Sequence, residues 1–466
     1  MANSHGRHGP TIPVRMSDMS HPPQWPPARV KHPTDVHGKA LAINLDGTRY
    51  GTFAEIGAGQ EVARWFLRVG AASGTVAQTI SAYDKTFSDD TYGSGTRYVS
   101  RERLLAMLEY EYHLLEKRLG STRGAQTRFF VFADTIAARN FKGDNEQHGW
   151  LGIRFQDQPG GKTSDILIHV NLMDSSAQLQ QEAIGLFGVN LIYASCYQRA
   201  STWDDFLSAL FDELSIARVE VDVIELSGPS FASTDARLVC LQALRRGMTR
   251  AIVFDSSGKV TEPSSMLRKR PLIVQRSRFE TVEPYQPQML RASAVELKKE
   301  GILLGREPVV VLEMTIKEAS GEAASDDESL LLRRVEQICK LGSVVVSDFP
   351  LAYLLIDYLR RQTTEPIRLV VEVATLAQIL HDRFYGALAG GLLEGVGKLL
   401  AANVKVYAYP MPADRFRQAT AGAEKIATIG QSAGNLVTAD DILPAPPADH
   451  LYRYLRAADW IRPLSP

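Results

Sequence analysis

The chain has 466 residues, 45% of them apolar and 23% charged, and a formal net charge of −1. Such a length exceeds one simple core and predicts two or three domains, while the near-zero charge gives no electrostatic ground for binding nucleic acid or an anionic membrane. No apolar run reaches the roughly 20 residues of a membrane span and no secretory apolar region precedes residue 40, so a cytoplasmic protein is expected, with neither membrane nor nucleic acid as partner.

Residues 1–38 hold His5, His8, His21, His32 and His37 among seven prolines. Proline at this density removes backbone donors and few apolar side chains offset ordering, so a disordered His/Pro-rich tail is expected. From residue 39 to 226 an α+β domain is predicted. Helices are expected at Glu61–Val69, Thr75–Tyr83 and Ser100–Leu119, the last with Ser100 as N-cap. Strands are expected at Arg128–Ala133, Gly149–Gln156 and Asp165–Leu172, then helices at Ala177–Ala194 and Trp203–Leu214 and a strand at Arg218–Leu226. Arg49–Phe53 reads as a poor central strand, with no clear strand after it before Arg128.

From 227 to 441 apolar, β-branched runs recur at Ala251–Phe254, Leu272–Gln275, Val309–Met314, Ser343–Ser347, Ile367–Val373 and Val404–Tyr409, mostly with one helix-length segment between them. Strands buried on both faces and joined by single helices predict a doubly wound, mostly parallel sheet. Residues 442–466 read as a Pro-rich linker and a terminal helix. The fold class is therefore α/β overall.

Motifs are suggestive and incomplete. Glu55-Ile56-Gly57-Ala58-Gly59-Gln60-Glu61 resembles an acidic, glycine-rich strand-to-helix turn, closest to the adenosylmethionine-binding pattern, and a tight helix entrance explains it as well. Gly391–Lys398 lacks the spacing and hydroxyl of a phosphate loop. Asp255-Ser256-Ser257-Gly258 ends an apolar strand as in haloacid-dehalogenase-type phosphatases but lacks their second Asp, and reads as a hairpin turn. Leu272–Phe279 and the following Glu280-Thr281 keep only the Phe of the nucleotidyltransferase motif of the nicotinate-nucleotide class and neither of its histidines. His148 and His169 are candidate acid/base groups whose default is a hydrogen-bonded structural role. Asp255, Glu313, Asp348 and Glu372 sit near strand ends, where a doubly wound sheet lines its ligand crevice. Cys196, Cys240 and Cys339 have no zinc-ligand spacing; free thiols are expected, and no metal site or cofactor is assigned.

At Gly51–Phe66, Thr79–Asp84, His148–Phe155 and Gly390–Leu400 the chain resembles an uncharacterised bacterial family of similar length. Its members carry automated names, including nicotinate-nucleotide adenylyltransferase and TonB-dependent receptor. The absence of barrel alternation argues against the receptor name, and the degraded motif at 272–281 against the transferase. The resemblance brings no catalytic residue with it, and it adds Asp84 to the ligand-binding candidates Glu55, Gly57, Gly59, Gln60, Glu61, His148, Asp255, Glu313, Asp348 and Glu372. Three readings follow: a protein binding a nucleotide or phosphorylated metabolite at the second-half strand ends, an adenosylmethionine-dependent enzyme using the 57–59 turn, or a non-catalytic, self-associating assembly protein.

Overall fold

The computed structural model describes residues 33–95, 97–199, 202–279, 284–317, 327–421, 426–430 and 435–466. The chain is α/β, built on two main sheets. Among the described residues, no helix is long and apolar enough to cross a membrane.

The first half runs α1 (Val36–Asn44), β1 (Arg49–Gly57), α2 (Glu61–Val69), β2 (Val76–Ser81), α3 (Lys85–Tyr92), α4 (Arg101–Arg123), β3 (Arg128–Ala137), β4 (His148–Gln156), β5 (Thr163–Leu172), α5 (Ala177–Tyr197), α6 (Trp203–Leu210) and β6 (Val219–Ser227). Its six strands lie in the order β2-β1-β3-β4-β5-β6. β2 and β3 flank β1 in parallel, and β3 to β6 form an antiparallel meander. Helix α4 packs on β1, β3 and β4, while α1, α2 and α5 form a layer of their own. Phe53 of β1 meets Phe66 of α2 at 4.8 Å between ring centroids, which places α2 against the sheet.

Two expectations are corrected in this half. Thr75–Tyr83 holds the edge strand β2, and Arg49–Phe53 begins a nine-residue strand, so β1-α2-β2 is a parallel crossover unit. β2 alternates half-buried and exposed residues along an edge, where pairing to β1 outweighs a helical reading of the same side chains. The tail boundary also moves. Asp35 caps α1 by accepting from Gly38 N–H, and the buried Val36 donates its N–H to Glu213 Oε2 at 2.7 Å. The tail histidines at 5, 8, 21 and 32 lie outside the described residues. A chain beginning at Lys39 is therefore expected to be less stable than one beginning at Pro33 by about 2 kcal/mol, from a lost cap and a lost buried Val. Denaturant midpoints of the two truncations check this; equal midpoints would show that α1 contributes nothing before Lys39.

After α7 (Ala236–Arg245) come β7 (Ala251–Phe254), β8 (Val260–Thr261), α8 (Pro263–Leu267), β9 (Leu272–Arg276), α9 (Tyr285–Lys299), β10 (Val309–Thr315), α10 (Glu328–Ile338), β11 (Ser343–Ser347), α11 (Ala352–Gln362), β12 (Ile367–Glu372), α12 (Val373–Ile379), α13 (Gly391–Leu399) and β13 (Val404–Tyr409). The chain then passes β14 (Met411–Pro412), α14 (Ala413–Ala419), β15 (Ala427–Ile429), β16 (Leu436–Val437), β17 (Ile442–Pro444), α15 (Ala448–Ala457) and β18 (Ile461–Pro463). Eight strands form the second sheet in the order β18-β13-β12-β9-β10-β11-β7-β8. From β18 to β11 all pairings are parallel; β7 and β8 add an antiparallel hairpin at one edge.

Starting at β9, the chain steps through β10 and β11 on one side, then crosses to β12, β13 and β18 on the other. That succession is the doubly wound dinucleotide-fold order, with its switch point between β9 and β12. Helices α11, α12, α13 and α15 bury one face of the sheet, while side chains of α9 and α10 join the core that runs into the first half. The stretch expected to be a linker and lone terminal helix contributes β17 and β18, and β18 pairs with β13 as a full member of the sheet.

Candidate functional site

Parallel strands that leave β9 and β12 in opposite directions open a crevice at their carboxyl ends. There the structure has a cavity of about 1050 Å³. Arg276 ends β9 and Ser277, Arg278 and Phe279 follow it, Thr315 ends β10 with Lys317 two residues beyond, and Glu372 ends β12; Arg383 and Phe384 precede α13, and Arg415 comes from α14. Among the described residues the lining has five cations, Arg276, Arg278, Lys317, Arg383 and Arg415, against the single carboxylate Glu372.

These cations differ in what already holds them. Arg276 donates to the Phe349 and Pro350 carbonyls at 2.6 and 3.1 Å and lies 3.5 Å from Glu313 Oε2, so its guanidinium is a brace between β9, β10 and the loop after β11. Lys317 reaches Asp348 at 3.5 Å. Arg383 lies over the Phe384 ring at 4.5 Å and Arg415 over Tyr285 at 5.3 Å, geometry that fixes each guanidinium through a ring face. Burial pushes the Glu372 carboxyl up, against the pull of Arg415 and a hydrogen bond from Tyr285. Gln286 also lines the cavity; its side chain is buried, and Oε1 has no hydrogen-bond partner among the described residues.

The four strand-end acids do not form one cluster. Asp255 follows β7, which runs antiparallel to β11, so it lies at the opposite end of the sheet from the crevice. Its Oδ1 accepts from the Ser257 and Lys259 N–H groups at 2.8 and 3.0 Å and closes the β7–β8 turn. Glu313 is fully buried beneath the crevice, bonded to Ser347 Oγ and facing Arg276. Asp348 is held by Arg250 at 2.6 Å as well as by Lys317. Of the four, only Glu372 lines the cavity, and every one of the three at this edge faces a cation.

The 57–59 turn has a different character. Gly57 has φ +87°, and a Cβ at Gly59 would sit 1.9 Å from Asp134 Oδ1, so the turn is pressed onto β3. Glu55 accepts from Ala63 N–H at 3.2 Å, Gln60 Nε2 donates to the Gly57 carbonyl at 2.6 Å, and Glu61 pairs with Arg64 at 2.8 Å. Asp84 caps α3 through Phe87 N–H at 3.0 Å. None of Glu55, Gly57, Gly59, Gln60, Glu61 or Asp84 lines the crevice or the second cavity.

That second cavity, about 330 Å³, lies between the halves and is lined by His148 and His169. Burial and the neighbouring His169 lower the His148 imidazole to about 4. Burial also acts to lower His169, but Asp222 and Glu262 outweigh it and raise the group. Helix α13 contains Gly391–Lys398, with Lys398 paired to Glu394 at 2.8 Å. All three cysteines are free.

Arg278, Lys317, Arg383 and Arg415 were missed because the sequence reading took only acids at strand ends. The same positional rule applied to cations finds Lys317, two residues past β10. Arg383 and Arg415 lie far from their strands in sequence, and no local pattern marks them.

No protein-family model and no curated protein matches the chain. Among solved structures it is similar to the competence/damage inducible protein CihA from Agrobacterium tumefaciens, at 20% identity and TM-score 0.21, over 29% of this chain and 79% of that one. A competence-damaged protein (CinA) superfamily protein from Enterobacter cloacae matches at 12% identity and TM-score 0.26, over 35% of this chain and 91% of that one. The competence damage-inducible protein A (ComA) from Klebsiella pneumoniae matches at 12% identity and TM-score 0.26, over 36% of this chain and 99% of that one. Likenesses this slight assign neither family nor ligand.

Proposed function

We propose that the chain binds a nucleotide or a nucleotide-like phosphorylated metabolite in the crevice between the carboxyl ends of β9 and β12. The observation that carries this is the set of cations around a 1050 Å³ cavity at the switch point of the sheet. The turn after β9 lacks the glycines that let a pyrophosphate approach backbone N–H groups, so side-chain cations replace them. Arg278, Lys317, Arg383 and Arg415 are assigned to the phosphates. Gln286 Oε1, buried and without a hydrogen-bond partner among the described residues, suits a donor such as a sugar hydroxyl or base N–H, which a bare phosphate lacks.

Isothermal titration of the full chain with mononucleotides, dinucleotides, the unphosphorylated nucleosides and inorganic phosphate tests the reading. Phosphorylated nucleosides are expected to bind, and nucleosides or phosphate alone much more weakly. Replacing Arg415 or Arg278 by Ala should weaken binding at least about tenfold each, from the loss of a charge-assisted bond of roughly 1.5–3 kcal/mol. Silence across the panel, or affinities unmoved in the double variant, removes the proposal.

A further inference from the structure

A second cluster lies apart from the crevice, where strands of the first sheet meet the loop before α8. His148 opens β4 and stands opposite Asn171 of β5, with His169 two residues away on the same face. Between His169 and Val170 the β5–β6 register slips: His169 faces Val223 and Val170 faces Val221, leaving Asp222 as the extra residue of a bulge. Bulges redirect a side chain, and this one sends the Asp222 carboxylate to His169 Nδ1 at 2.6 Å and to Asn171 Nδ2 at 2.8 Å.

With Nδ1 committed to Asp222, His169 Nε2 faces His148 Nδ1 at 2.9 Å and Glu262 Oε2 at 3.3 Å. Glu262 precedes Pro263 at the start of α8, and its carboxylate makes no capping bond there. With His148 as donor to His169, the Glu262 oxygen faces a lone pair, and a protonated His169 must divide its one Nε2–H between His148 and Glu262. One divalent cation satisfies all three donors at once. The three ligand atoms lie within 4.8 Å of one another. Ligands about 2.0–2.1 Å from a tetrahedral zinc ion are separated by about 3.3 Å; the His169–Glu262 pair at 3.3 Å matches this, and the His148–His169 pair at 2.9 Å would open slightly around the ion while Glu262 draws in to His148.

We propose that His148 Nδ1, His169 Nε2 and a Glu262 carboxylate oxygen bind a divalent transition-metal ion of the zinc class. Two imidazoles and one carboxylate form a borderline donor set suited to zinc rather than to magnesium or calcium. Asp222, anchored by Asn171, orients His169 and raises its basicity as an outer-shell carboxylate. Both histidines line the 330 Å³ cavity, which would give water or a small oxygen ligand access to a fourth position.

The test uses the full chain, stripped with a chelator and titrated with zinc, with cobalt(II) as a spectroscopic stand-in. The N-terminal histidines can also collect metal, so the readout is the difference between wild type and variants that all carry the same tail. Glu262→Gln, in a loop and partly exposed, and His169→Gln should each lose one equivalent of tightly held zinc and the intense tetrahedral cobalt bands. Asp222→Asn should retain the equivalent with affinity about 10–100-fold weaker. If wild type and a folded Glu262→Gln bind zinc with equal stoichiometry and affinity and give the same cobalt spectrum, the pair is a hydrogen-bonded structural unit and the metal site is removed.

Discussion

Glu300→Ala should lower the stability of the chain by about 3–5 kcal/mol, because it strands a buried cation. Arg368 near the start of β12 is fully buried, and Glu300 just after α9 is its counter-charge, with Arg368 Nε donating to Glu300 Oε1 at 3.0 Å. Arg368 Nη2 donates to Glu300 Oε2, and Nη1 to the Ile367 and Asn403 carbonyls at 3.0 and 2.9 Å. Tyr407 of β13 donates to the same carboxylate, and Arg462 of β18 lies 3.5 Å from it. One acid thus ties α9, β12, β13 and β18 together at the end of the sheet opposite the crevice. Burial acts to raise the Glu300 carboxyl, but the hydrogen bonds from Arg368 and Tyr407 and the charges of Arg368 and Lys405 hold it below its usual value. A depressed folded value means that its contribution is complete above the unfolded pKa and is lost as pH falls through the folded one. The stability difference between wild type and Glu300→Ala should therefore shrink in acid. Urea midpoints at pH 7 and pH 4 measure it; a loss under about 1 kcal/mol at pH 7 would show that Arg368 finds other compensation.

Where a segment's burial is uniform, its role was legible in the sequence. Val309–Met314, apolar except for Glu313, and Ser343–Ser347, apolar between its two serines, became interior parallel strands, and the single helix between them enforces a common strand direction. Edge elements were harder. β2 has no fully buried residue, and β18 is three residues long, so neither carries enough pattern to outweigh the segments around it. Antiparallel β7 could not be told from its parallel neighbours by composition, which is why Asp255 was placed with the wrong strand ends. The crevice was legible as a location, through Glu372 and the strand ends. Its chemistry was not, since Arg383 and Arg415 arrive by tertiary packing. Asp222 joins the histidines only through a one-residue register slip, to which hydrophobic alternation is blind.

Stability should also fall as pH rises from about 5 to 8, through two acids that face no cation among the described residues. Glu55 of β1 and Asp134 of β3 are register partners on adjacent parallel strands beneath the 57–59 turn. Both are buried, Glu55 accepts one backbone hydrogen bond, and neither Asp134 oxygen has a partner among the described residues. Burial pushes Glu55 up to about 7 despite the Ala63 hydrogen bond, and burial together with the Glu55 charge raises Asp134 well above the usual carboxylate range. Raised folded values have the opposite sign to Glu300: the native state holds protons that the unfolded chain releases, so the contribution is complete below the unfolded pKa and is lost as pH climbs through the folded one. For Glu55 that window runs from its ordinary value of 4.5 to about 7, which caps its share at roughly 3 kcal/mol. Asp134→Asn removes the titration that burial and the Glu55 charge raise, while preserving shape under Gly59. Its stability curve should be flatter than that of wild type and should rise relative to it above pH 7. The comparison between the two curves matters more than either alone, since every other titrating group is common to both. Parallel curves from pH 5 to 8 would mean that Glu55 and Asp134 are already relieved in the native state, by water or a cation reaching the turn.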